Sequence, residues 1–313
     1  MKKYVFGADL GGTTVKLGFF RTDGELLNQW EIPTVKEEGG RQIIPDIGKS
    51  LLAFMQRENI PKDEVEGIGL DVPGAVSREG LVLTGVNIGW EGEKDAASEL
   101  SAITDLPVVC ANDANAAALG EQWMGSGKNT ENLIMVTLGT GVGAGVIIGG
   151  RILAGAHGSA GEVGHTALFP ELQEKCGCGN TGCFEQLCSA GGMMRTAAKY
   201  APSGSIDGVP LEKLNPKEIF TAAGKGNTLC AEIVAEYAAN LGRGLAVFAS
   251  ILDPEVILIG GGISHAGEAL LIPVREAYRK HVFYPAADTP IIRASLGNNA
   301  GIYGCARLVL TQR

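Results

Sequence analysis

The chain has 313 residues, 45% of them hydrophobic and 19% charged, with 26 Lys and Arg against 35 Asp and Glu for a net charge of −9. That length allows two domains with a core each, and the acidic balance argues against a nucleic-acid surface, which needs clustered Lys and Arg. No apolar run reaches the roughly 18 residues of a membrane span. The short apolar stretch at the N-terminus is broken at Asp9 with no cleavage site after it, so no signal peptide is expected.

Residues 4–20 read as an apolar strand, a Gly/Thr turn and a second strand, and residues 133–148 repeat that hairpin pattern. The repetition suggests a duplicated α/β domain. A helix is expected around 41–58, a strand at 65–70, the turn Val72-Pro73-Gly74, a strand at 107–111 and an alanine-rich helix from Asn115 to Met124. In the second half, Ile233, Val234, Tyr237, Leu241, Leu245 and Phe248 mark a helical period over Thr228–Leu252. A buried strand at Val256–Ile259 then runs into Gly260-Gly261-Gly262, followed by a helix near 267–280 and a strand at 289–296. A last helix, 298–313, is expected to fold back on the first domain. Alternation of strands and helices gives two α/β domains, 1–115 and 116–297.

Asp9, Gly11, Gly12, Thr13, Thr14 and Lys16 offer a turn whose N–H and hydroxyl groups can face an anion, with Asp9 placed for a Mg2+-bound water. A plain hairpin with a Gly-Gly turn accounts for the same residues. Gly139, Thr140 and Gly141 open a run with glycines at alternate positions to Gly145. Such a run would weaken a strand, so a phosphate cradle is favoured there. Gly261, in a glycine turn between strand and helix, is a third candidate, under a nucleotide base or ribose. Neither a Walker A loop nor a dinucleotide fingerprint is present.

Asn112 and Asp113 fall at the end of a strand and the start of a helix, where the helix dipole stabilises a carboxylate. Asp113 there could orient and deprotonate a hydroxyl during phosphoryl transfer. From spacing alone an ordinary helix cap is the favoured reading, and the position at the carboxyl end of a strand narrows the difference.

Cys176, Cys178 and Cys183 lie among glycines and small polar residues, with little apolar surface to bury them. Cys3His is a closed, structural zinc set; His165 is the nearest histidine and His157 the other one in the region. With seven cysteines, an odd number, three of them at ligand spacing, a reducing cytoplasm is expected rather than a disulfide scaffold.

Together Asp9–Lys16, Pro73-Gly74, Asn112–Asn115, Leu138–Gly145, Gly161–His165 and Cys176–Glu185 resemble the ROK family of bacterial sugar kinases and repressors, its glucokinases above all. The cysteine loop carries most of the specificity. The resemblance implies the two-domain actin/Hsp70/sugar-kinase (ribonuclease H-like) α/β fold, with ATP and a hexose bound in an interdomain cleft. It implies Mg2+-assisted transfer of the γ-phosphoryl group to the 6-hydroxyl of glucose, with Asp113 as base. Gly74, Asn112, Glu162, His165 and Glu185 would meet the sugar, and His165 would also bind zinc with the three cysteines. N-acetylmannosamine, fructose, allose and N-acetylglucosamine are the other hexoses to consider, and a homodimer or homotetramer is expected. The family's repressors carry a helix-turn-helix ahead of the first hairpin; with that hairpin starting at Tyr4, a repressor is not expected. Asp71 departs from the pattern, in which a small or apolar residue would stand before the Pro-Gly turn; it is expected to lie off the assigned chemistry and to bear at most on sugar preference.

Overall fold

In a computed structural model that describes residues 2–311, β1 (Tyr4–Leu10) and β2 (Thr14–Arg21) form the first hairpin, with Asp9 opposite Lys16. β2 pairs onward with β3 (Leu26–Pro33), a strand with no sequence signal because, as a mostly exposed edge, it needs no apolar alternation. β4 (Val65–Val72) runs parallel to β1, and β5 (Val108–Asn112) parallel to β4, giving the order β3-β2-β1-β4-β5. Phe6, Leu17, Ile68 and Leu70 of this sheet pack with Ile47, Leu51 and Phe54 of the Ile43–Arg57 helix.

The helix Ala300–Thr311 lies against the same sheet with almost no side-chain spacing. A Cβ on Gly7 would stand 2.1 Å from Ile302 O, and one on Gly69 1.8 Å from Cys305 O. The same helix meets Asp113–Met124, where a Cβ on Gly304 would stand 1.7 Å from Ala116 O. Val5, Phe20, Ile302 and Ala306 close this side.

The second hairpin is β6 (Leu133–Leu138) and β7 (Val142–Ile148), and β7 turns back into the short β8 (Arg151–Ile152). After a two-stranded ribbon of β9 (Ser205–Ile206) and β10 (Val209–Pro210) come β11 (Val256–Gly260) and β12 (Ile291–Arg293). The second sheet has the order β12-β11-β6-β7-β8. β11 is parallel to both β6 and β12 and buried along its whole length, as its unbroken apolar run requires. The Thr228–Leu252 helix buries the apolar positions of its expected period.

One compact unit comprises the chain up to Glu131, Gly145–Gly161 and the stretch from Ser295 onward; the other comprises Asn132–Ala144 and Glu162–Ala294. This differs from a single boundary at 115/116, because β7 carries the chain back into the first unit before the cysteine loop begins. Other differences are local. The alanine-rich helix begins at Asp113, not Asn115, since Asn112 caps it. The strand expected over 289–296 is only Ile291–Arg293, and a 3-10 turn at Gly297–Asn299 delays the last helix to Ala300. Residues 312 and 313 of that expected helix lie outside the described residues. Among the described residues, no helix is long and apolar enough to cross a membrane.

Candidate functional site

In the first unit the predicted residues gather at the carboxyl ends of β1, β4 and β5, where ligands of parallel α/β sheets bind. Gly11 N donates to Thr14 O at 3.0 Å to close the first turn. Lys16 Nζ stands 3.9 Å from Asp9 Oδ2 and donates to Asn298 O at 3.0 Å.

Asp71, set apart in the sequence as off the chemistry, is part of this cluster. It faces Asp9 across the parallel β1–β4 register and is fully buried. Its Oδ1 accepts from Leu10 N at 3.1 Å and its Oδ2 from Cys305 Sγ at 3.3 Å. Burial pushes its carboxyl well above the usual range, and the charges of Asp9 and Asp113 push the same way. Asp9 is raised too, chiefly by burial, with Lys16 opposing. The structure thus places Asp71 beside Asp9 and not apart from the predicted residues: register in a parallel sheet, invisible in a single chain, brings it there.

At the end of β5, Asn112 and not Asp113 caps the helix: its Oδ1 accepts from Ala114 N at 2.9 Å and Asn115 N at 3.2 Å. Its Nδ2 donates to Gly74 O and to Asp113 Oδ1, both at 2.9 Å. All four hydrogen-bonding positions of the amide are thus taken by the protein. Asn112 positions Gly74 and Asp113, and it would have to exchange a partner to meet a sugar. Gly74 has φ +153°, and a Cβ there would lie 2.0 Å from Thr84 O, so the Pro-Gly turn admits no side chain.

In the second unit the ligand atoms of His165, Cys176, Cys178 and Cys183 all lie within 4.8 Å of one another. Cys178 and Cys183 Sγ are 3.6 Å apart, and Cys176 Sγ is 3.7 Å from His165 Nδ1. A tetrahedral ion with bonds of about 2.3 Å sets ligands roughly 3.8 Å apart, so the four side chains fit Zn2+. His157 has no part in the cluster. His165 turns Nδ1 to the thiols, while its Nε2 is 4.0 Å from Glu162 Oε2. Glu185 Oε1 is 3.7 Å from His165 Nδ1 and 3.0 Å from Cys176 Sγ, and its Oε2 is 3.3 Å from Val142 N. The loop therefore brings together Glu162, His165 and Glu185.

The glycines of the second hairpin divide by role. Gly139 and Gly141 lie in the turn, with Gly139 N donating to Gly141 O at 3.0 Å around Thr140. Gly143 and Gly145 lie inside β7. At Gly145 a Cβ would stand 2.4 Å from Ala114 O, so helix packing, not a phosphate, explains that glycine. Gly261 has φ +77°, and a Cβ on it would meet Leu138 O at 2.4 Å. Beside it opens a recess of about 710 Å3, lined by Leu138, Gly139, Phe220, Thr221, Gly262 and Ala266 among others. Phe220 and Thr221 come from the Pro216–Gly224 helix, whose start is written in the Asn215–Glu218 capping box. Nothing in the sequence ties that helix to Gly139.

A model of the ROK family matches residues 5–312. The chain belongs to the ROK family. It is 39% identical to a glucokinase of Halalkalibacterium halodurans, across 99% of this chain and 96% of that protein. It is 32% identical to a xylose repressor of Caldicellulosiruptor bescii, across 98% of this chain and 78% of the repressor. A solved ROK family glucokinase from Streptomyces griseus, in complex with glucose and AMPPNP, matches with a TM-score of 0.73 at 32% identity, across 97% of this chain and 98% of that one. The two-sheet α/β architecture is that of the actin/Hsp70/sugar-kinase fold.

Proposed function

We propose that this ROK protein is an ATP-dependent sugar kinase that phosphorylates the 6-hydroxyl of glucose. The observation that carries the reading is Asp113. It stands at the carboxyl end of β5 on the first turn of a helix that Asn112 caps, and its Oδ1 accepts from Asn112 Nδ2 at 2.9 Å and from Ala114 N at 2.8 Å, which holds the carboxylate where ligands of parallel sheets bind. A hydroxyl presented to it would give up its proton to Asp113 as the oxygen bonds to the γ-phosphorus and the bond to the ADP oxygen breaks. The names of the Halalkalibacterium and Streptomyces relatives support the same reading.

Glu162, His165 Nε2 and Glu185 supply acceptors and a donor for hydroxyls, the groups needed to tell one hexose epimer from another. Zn2+ held by the four-residue cluster would fix a loop that has little regular structure of its own. Mg2+ near Asp9 would neutralise phosphate charge. The glycine turn at Gly11–Thr14 suits phosphate oxygens, and the recess beside Gly139 has the size and apolar lining for a nucleotide base.

The test is a coupled ATP assay over a panel of hexoses, including N-acetylmannosamine, fructose, allose and N-acetylglucosamine. Glucose is expected to give the highest kcat/KM; another hexose in first place would keep the kinase and change its substrate. The likeness to the xylose repressor supports a second reading, sugar sensing without transfer. Sugar binding with no turnover of any hexose would favour it.

A further inference from the structure

The Gly11–Thr14 turn is attended by a lysine from outside its own motif. Thr34, the first residue after β3, donates its hydroxyl to Gly11 O at 2.7 Å and its N–H to Thr13 O at 2.9 Å. The chain leaving β3 is thereby tied to the turn. Two residues on, Lys36 brings its ammonium over the turn, and a Cβ built on Gly12 would lie 3.4 Å from Lys36 Nζ. The backbone that carries this side chain is also fixed: Lys36 O accepts from Gly40 N at 3.0 Å, and Gly40 O accepts from Trp90 Nε1 at 3.2 Å.

The two lysines at the turn are engaged differently. Lys16, the lysine of the motif, is committed to Asn298 O and Asp9. Among the described residues, Lys36 forms no ion pair, although acidic residues outnumber basic ones 35 to 26 in this chain. An exposed ammonium with no ion pair, carried on backbone that is fixed beside a glycine-lined turn, has the charge and reach to meet an anion there.

We infer that Lys36 contacts the terminal phosphoryl group of the nucleotide at this turn, a role that rests on the kinase reading above. Charge on the transferring group spreads over its equatorial oxygens, and a cation beside them lowers the barrier. Lys36 makes and breaks no covalent bond. The phosphoryl group passes from the ADP oxygen to the sugar oxygen, and the sugar proton passes to Asp113. A lysine 24 positions beyond Gly12 escapes any reading of the motif, because the β2–β3 hairpin is what returns it.

The test compares wild type, Lys36→Met and Lys36→Arg by titration calorimetry with Mg2+, using a non-hydrolysable ATP analogue and ADP. Lys36→Met is expected to weaken the analogue about tenfold, the scale of a charge-assisted hydrogen bond, and to change ADP affinity by less than about twofold. Lys36→Arg should recover most of the loss, with the melting temperature unchanged in both variants. Turnover should fall in Lys36→Met while the hexose KM holds. Equal affinities for the analogue in Lys36→Met and wild type, or equal losses for analogue and ADP, would overturn the assignment and leave the kinase reading standing. A wild type that binds neither nucleotide would overturn both.

Discussion

Asp9 and Asp71 face each other at the carboxyl ends of two adjacent parallel strands, with Asp71 wholly buried and held by Leu10 N–H and the Cys305 thiol. Two carboxyls in such a place cannot both ionise cheaply. The folded pKa of Asp71 is raised, so the native chain holds its proton more tightly than the unfolded chain. Its stabilising contribution is complete below the ordinary carboxylate pKa of about 3.9 and is lost as the pH climbs towards the raised value. Asp71→Asn removes the titrating group while keeping an oxygen for Leu10 N–H. Melting curves from pH 4 to pH 8 should show the variant gaining on wild type as pH rises, with Asp9 keeping part of the slope. A difference that stays flat across this range would show that Asp71 is not strained by its proton.

The cysteine cluster predicts about one zinc per chain. Cys178→Ser should lose the metal and raise the hexose KM together. Disturbing a group behind a metal ligand already costs about 10–100-fold in affinity or activity, and loss of the ligand itself should cost at least as much. Metal analysis beside steady-state kinetics checks this. A variant that loses zinc but keeps its KM would separate the loop from the sugar. Metal restored after chelation should raise the melting temperature, which a purely catalytic ion need not do.

Gly304 is where the last helix touches Asp113–Met124, with a hypothetical Cβ 1.7 Å from Ala116 O. Gly304→Ala must push apart the helix that carries Asp113. The expected destabilisation is at the upper end of about 1–3 kcal/mol, read as a lower urea midpoint with an unchanged slope. A midpoint equal to wild type would mean that the two helices yield without cost.

The recess beside Gly139 should take the nucleotide base. Ala266→Trp fills it from a half-buried position in a 3-10 turn. The ATP KM should rise about tenfold or more, as expected for about 1.5–3 kcal/mol of lost apolar burial, while the hexose KM stays put. Equal rises in both constants would indicate a general disturbance.

What the sequence showed and what it hid follow from the range of the signals. Helix Thr228–Leu252 and strand β11 were legible because a buried helix or parallel strand must write its burial into its own residues. The cluster of His165, Cys176, Cys178 and Cys183 was legible because these residues sit close together in the chain. β3 was not, since an exposed edge strand is held by backbone bonds and asks little of its side chains. Asp71 beside Asp9 and Lys36 over Gly12 depend on register and on a hairpin's return, which one sequence does not encode locally. Gly145 was misread for the same reason: its missing side chain answers to Ala114, a residue of another element.

The central claim is that Asp113 takes the proton of a glucose hydroxyl during phosphoryl transfer from ATP. Turnover and glucose binding in Asp113→Asn, compared with wild type, test it most directly. The account predicts a fall in kcat of at least about a hundredfold, the lower end of what a general base contributes, with glucose affinity within about tenfold of wild type. Wild-type turnover in Asp113→Asn would contradict it.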